Sequence, residues 1–137
     1  MTRAVMLAAV ILAHATPQPS PQPDGLTGWA SAYAPGVFEG VVRYRLDNGL
    51  WRHPPPIDWY TAAGYVATND CSQVGQMATL VAPDGRGYRV LIADCGGAGE
   101  GIGAEWMTAN GIIVEVDWRL WERLTSEHGR PLKVTLR

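Results

Sequence analysis

The stretch from residue 76 to residue 94 leaves the backbone few choices. Gln76-Met77-Ala78-Thr79-Leu80-Val81-Ala82 and Gly87-Tyr88-Arg89-Val90-Leu91-Ile92-Ala93-Asp94 are apolar, extended-type runs flanking Pro83-Asp84-Gly85-Arg86. An Asp-Gly step between two such runs reverses the chain tightly, so the segment predicts an antiparallel hairpin. Shorter runs of the same character occur at residues 28–33, 40–46, 65–68, 112–116 and 132–136. Pro54-Pro55-Pro56 excludes helix and central strand from a rigid, aromatic-rich loop over residues 50–60. Asp117 is suited to cap a short helix over residues 118–124, with Trp118 and Trp121 on one face and in the core. The chain therefore reads as mainly β, with about six strands: a six-stranded barrel with one or two short helices. No internal repeat is evident.

With 137 residues the chain has room for one domain. Residues 1–15 have the layout of a signal peptide: Arg3, an apolar run over 4–13, then Ala13-His14-Ala15 as a small-x-small cleavage site. That run is too short to span about 30 Å of hydrocarbon, so no membrane anchor is expected after cleavage. Residues 16–24, Thr-Pro-Gln-Pro-Ser-Pro-Gln-Pro-Asp, read as a semi-stiff linker. The domain is expected over residues 25–137. A secreted, periplasmic or cell-wall-associated location follows from the leader. The formal net charge of −2 gives no general attraction to nucleic acid, and nothing in the sequence demands a dimer.

Two cysteines, Cys71 and Cys95, read as one disulfide in an exported chain. Loop closure at this spacing contributes roughly 3 kcal/mol. His53 and His128 have no ligand spacing with them, so neither metal nor cofactor is expected. Asp94 ends an apolar strand and precedes Cys95-Gly96-Gly97, placing a carboxyl where backbone and ligand can approach closely. It is the candidate general acid. Asp70, beside Cys71, is expected to approach it through the disulfide, and Glu39 is a further candidate. Glu115 alternates with Val114 and Val116 and should face a groove or solvent. Trp51, Trp59, Tyr60 and Trp106 fall in expected loops, where amphipathic rings suit stacking on sugars. The Gly-rich loop over 96–111 lacks the Gly-Lys-Ser/Thr ending of a phosphate loop and reads as a connector or lid.

In this order the segments resemble rare lipoprotein A-like domains. Gly28-Trp29-Ala30-Ser31-Ala32-Tyr33 is similar to their G-x-A-S-x-Y opening, and Phe38-Glu39-Gly40 stands where they carry Phe-His-Gly. Leu91-Ile92-Ala93-Asp94-Cys95-Gly96-Gly97 resembles their V-x-N-D-R-G-P segment, with Cys95 and Gly97 replacing Arg and Pro. Ile113-Val114-Glu115-Val116-Asp117 resembles their I-I-D-L-S. The enzymes' Glu after Asn-Gly has no counterpart, because Leu50 follows Asn48-Gly49. The resemblance implies a double-psi β-barrel, as in expansins, with Asp94 in a groove that takes cell-wall polysaccharide.

The expected function is therefore action on peptidoglycan or another wall glycan, as a lytic transglycosylase using Asp94. The alternatives are a non-catalytic, expansin-like binding module and a secreted protein-interaction domain. Hydrolysis would require a second carboxyl about 5 to 9.5 Å away; Asp70, Glu39 and Glu115 are the candidates.

Overall fold

A computed structural model describes residues 25–96, 102–126 and 130–137. The expected leader and linker, His128, and the 97–101 part of the Gly-rich loop lie outside them. Six strands close into one mixed barrel: β1 (Leu26–Ala32), β2 (Gly64–Thr68), β3 (Met77–Val81), β4 (Gly87–Cys95), β5 (Ile112–Val116) and β6 (Leu132–Leu136). Around the barrel the order is β1-β5-β2-β4-β3-β6. The β1/β5 and β2/β4 ladders are parallel and the other four are antiparallel. This closed six-stranded architecture is the one the sequence predicts.

The ladders hold a symmetry that the sequence hides. Exchanging β1 with β4, β2 with β5 and β3 with β6 maps the pairing pattern onto itself, parallel onto parallel and antiparallel onto antiparallel. The chain is thus two three-stranded halves joined at the β3–β4 hairpin. No recurring residues mark the repeat; it exists only in the pairing.

Side chains alternate between the two faces of each strand. Val66, Leu80, Val90, Ile92, Val114, Val116, Val134 and Leu136 point inward and, with Leu120 and Trp121, form the barrel core. Burying each large side chain contributes about 1.5–3 kcal/mol. A second apolar cluster, Phe38, Val42, Ala67, Leu91 and Ala93, lies on the outer face.

That outer cluster exists because residues 40–46 are not a strand. They belong to helix α1 (Val37–Asn48), a correction to the β reading. Val41, Val42 and Tyr44 favour strand locally, but Phe38 and Val42 recur at i and i+4 and are the buried pair of the helix. Gly36 and Gly49, both at positive φ, bound it. Helices α2 (Ile102–Ala109) and α3 (Trp118–Leu124) bring the total to three among the described residues, not one or two. Trp106 therefore sits on α2 and not in a loop.

The Asp117 cap is present: its Oδ1 accepts from Leu120 N at 3.0 Å. Its Oδ2 accepts from Tyr65 N, while its own N–H donates to the Tyr65 carbonyl at 2.9 Å. One residue thus starts α3 and ties it to β2. The Cys71–Cys95 disulfide is formed, joining the turn after β2 to the end of β4. No helix among the described residues is long and apolar enough to cross a membrane.

Candidate functional site

The outer face under α1 carries two carboxyls on strands separated only by β2. Ala67 of β2 pairs with Asp94 of β4 on one side and with Glu115 of β5 on the other. The β2/β4 ladder slips by one residue between Val66 and Ala67, so Asp94, not Ala93, falls opposite Ala67. Such a bulge re-aims a side chain, and here it brings the acid to the row of Glu115. Two inter-strand steps set the two backbones about 9.6 Å apart.

The surroundings of the two acids differ. Burial pushes the Glu115 carboxyl up, outweighing hydrogen bonds from Tyr33 and Ser31 that pull it down, and the charge of Asp94 adds to the rise. The Ser31 hydroxyl donates to Glu115 over a long 3.5 Å. Tyr33 is pushed up to about 12, first by burial, then by the charges of Glu115 and Asp94. Tyr33 therefore stays a protonated donor beside both acids. Asp94 is held differently: Arg45 Nη2 donates to its Oδ1 at 2.8 Å, with both side chains mostly buried. Of the two, Glu115 is the carboxyl whose surroundings favour the protonated, proton-donating form, whereas Asp94 is paired with Arg45.

Arg45 is held by its own surroundings. Its Nη1 donates to the Leu50 carbonyl at 2.7 Å, and its guanidinium lies 6.0 Å from the Trp51 ring centre. The loop carrying Trp51 is fixed in turn to the disulfide-bearing turn. His53 N donates to the Val74 carbonyl at 3.0 Å, and His53 Nε2 lies 2.8 Å from the Ser72 carbonyl. A side chain at Gly75 would run into the His53 carbonyl, so only glycine permits this close approach. A connected path thus runs from Cys71 through Ser72, His53 and Trp51 to Arg45 and Asp94.

The other candidates separate. Trp51 and Trp59 pack partly buried against the outer cluster, and Trp59 lies 6.5 Å from Tyr65, ring centre to ring centre. Tyr60 is 71% exposed and stands at the loop surface. Trp106 is half-exposed in a separate cleft with Trp29 and Trp118. Glu39 is on the first turn of α1, paired with Arg119 at 3.7 Å over another depression. Asp70 is exposed and caps the turn at Cys71–Gln73, its Oδ1 accepting from Ser72 N at 2.9 Å and Ser72 Oγ at 2.6 Å. Those bonds hold the Asp70 carboxyl below its ordinary range. The structure thus places Glu115 beside Asp94 and gives Asp70 and Glu39 other partners.

Sequence reasoning missed Arg45, Tyr33 and Ser31. Arg45 follows Phe38 and Val42 at i+7 on the helix face, a signal the strand reading concealed. Ser31 and Tyr33 alternate along β1 and its extension, where Tyr33 N donates to the Val116 carbonyl at 2.8 Å.

Compared with known protein families, curated proteins and solved structures, the chain finds no match in any of the three.

Proposed function

We propose that the protein is exported and acts on cell-wall glycan, with peptidoglycan as its substrate class, and that Glu115 and Asp94 form its carboxyl pair. The observation that carries this reading is the placement of both acids opposite Ala67, one half-buried with its carboxyl pushed up, the other ion-paired. In a lytic step Glu115 gives its proton to the glycosidic oxygen as the bond to the anomeric carbon breaks. A hydroxyl of the same sugar bonds to that carbon and passes its proton to Asp94. The product is an anhydro-sugar, and no water is consumed. Tyr33 and Ser31 hold the Glu115 carboxyl in place. The formed disulfide and the leader pattern fit an exported chain.

A second reading has its own support. The Arg45–Asp94–Leu50 arrangement also serves to hold the aromatic loop, as a non-catalytic wall-binding module would require. Digestion of purified peptidoglycan separates the two. Anhydro-muropeptides from the native chain, lost in Glu115→Gln, establish the lytic reading. No soluble product from either, with both pelleting on the sacculi, leaves the binding module.

A further inference from the structure

A recess also opens beside β1, next to the row of the two carboxyls. It is a cleft of about 760 Å³ lined by Trp29, Ser31, Trp106, Asn110, Trp118 and Trp121, together with other residues. Trp29 and Trp106 are 43% and 50% exposed, an unusual display of indole surface for a small barrel. The wall includes buried Trp121, whose indole N–H finds no acceptor among the described residues. Asn110 and Ser31 add amide and hydroxyl groups. Flat apolar faces with a few polar groups between them match a sugar ring, which presents C–H groups on its faces and hydroxyls at its edge.

The cleft adjoins the carboxyl row at Ser31. Trp29, Ser31 and Tyr33 are alternate residues along β1 and its extension, so they share one face over about 13 Å. Trp29 and Ser31 line the cleft, while Ser31 and Tyr33 donate to Glu115 in the carboxyl row. Ser31 belongs to both sites.

We propose that the tryptophan cleft is a second glycan subsite, holding sugar rings of the same polymer that lies across Asp94 and Glu115. The proposal rests on the glycan reading of the carboxyl row and specifies the ligand further: a polymer running along β1, not a single disaccharide. Each exposed indole is expected to contribute about tenfold in affinity.

The test uses the purified chain with a peptidoglycan tetrasaccharide as the probe, read by quenching of tryptophan fluorescence. Pelleting on sacculi is the second readout. Trp29→Ala and Trp106→Ala are expected to weaken tetrasaccharide binding about tenfold each, and Trp29→Phe and Trp106→Phe to recover most of it. Circular dichroism checks that the variants are folded. Unchanged affinity in both alanine variants overturns the cleft proposal, even if Glu115→Gln abolishes product and so supports the carboxyl pair. Quenching by an apolar peptide and not by the glycan also overturns it. Conversely, loss of binding in the tryptophan variants, with Glu115→Gln and Asp94→Asn changing nothing, upholds the cleft while the carboxyl-pair reading fails.

Discussion

Asp94 and Glu115 flank a single residue, Ala67, from the two strands that neighbour β2. In the proposed lytic step the two acids have different roles. Glu115 is expected to supply the proton, so Glu115→Gln should lower the rate of product formation about 10²- to 10⁴-fold. Asp94→Asn keeps the shape but loses the acceptor and the ion pair, and should lower it to a similar degree. Product release from sacculi, followed over a pH series, checks this. The native rate should fall as pH rises through the raised Glu115 value.

Stability should carry the same signature. Glu115 has its folded-state value raised above 4.5, so the folded chain binds more protons than the unfolded chain above that pH. Its contribution is therefore lost as pH rises through the raised value. Glu115→Gln removes the ionisation, so the variant should gain on the native chain as pH increases from about 4.5 upward. Urea unfolding at several pH values reads the difference. A constant gap would contradict the burial of this carboxyl.

Tyr33 offers an independent probe of the carboxyl row. With its hydroxyl pushed up to about 12, it should ionise after an ordinary tyrosine near 10. Folded stability should fall between those values, because the unfolded chain loses the proton first. Tyr65 also ionises late, mainly because of burial. In an ultraviolet titration Tyr33→Phe should remove one late-titrating group and leave the early ones. Glu115→Gln should bring the Tyr33 transition down, since one of the charges raising it is gone.

Two glycines should respond in opposite directions. Gly40 lies inside α1, and a Cβ there meets nothing within 4 Å. Gly40→Ala should stabilise the protein by about 0.5–1 kcal/mol through helix propensity. Gly64 opens β2 where α3 packs, and a Cβ there would strike the Asp117 carboxylate and approach Leu120 Cβ at 2.8 Å. Gly64→Ala should cost about 2 kcal/mol or more, by displacing the cap that joins α3 to β2. Thermal unfolding of the two variants is the comparison.

Much of the barrel was legible in the sequence because strand signals and turn residues agreed. The Pro83–Arg86 reversal, the run over 112–116 and the Asp117 cap are local features whose local reading survives tertiary packing. Helix α1 was not legible in this way, since Val41, Val42 and Tyr44 favour strand until Phe38 and Val42 find an apolar surface to cover. Of the site, Asp94 and Glu115 were visible as acids on apolar strands. That they share a row depends on the one-residue slip opposite Ala67, which no local pattern encodes. Trp106 was expected in the same group as Trp51 and Trp59. Barrel closure divides them, because α2 packs against β5 whereas the 50–60 loop lies under α1.

The two halves exchanged by the barrel's pairing are connected by covalent links at two places. One is the β3–β4 turn, with Gly85 at positive φ. The other is the disulfide, since Cys71 follows β2 in the first half and Cys95 ends β4 in the second. A single cut in the exposed 83–86 turn would therefore leave one molecule, not two fragments, with every ladder still crossing between its original partners. Such a nicked form can be handled as an intact protein until a reductant is added. The thiol state of this chain then decides whether its two three-stranded halves remain one covalent molecule.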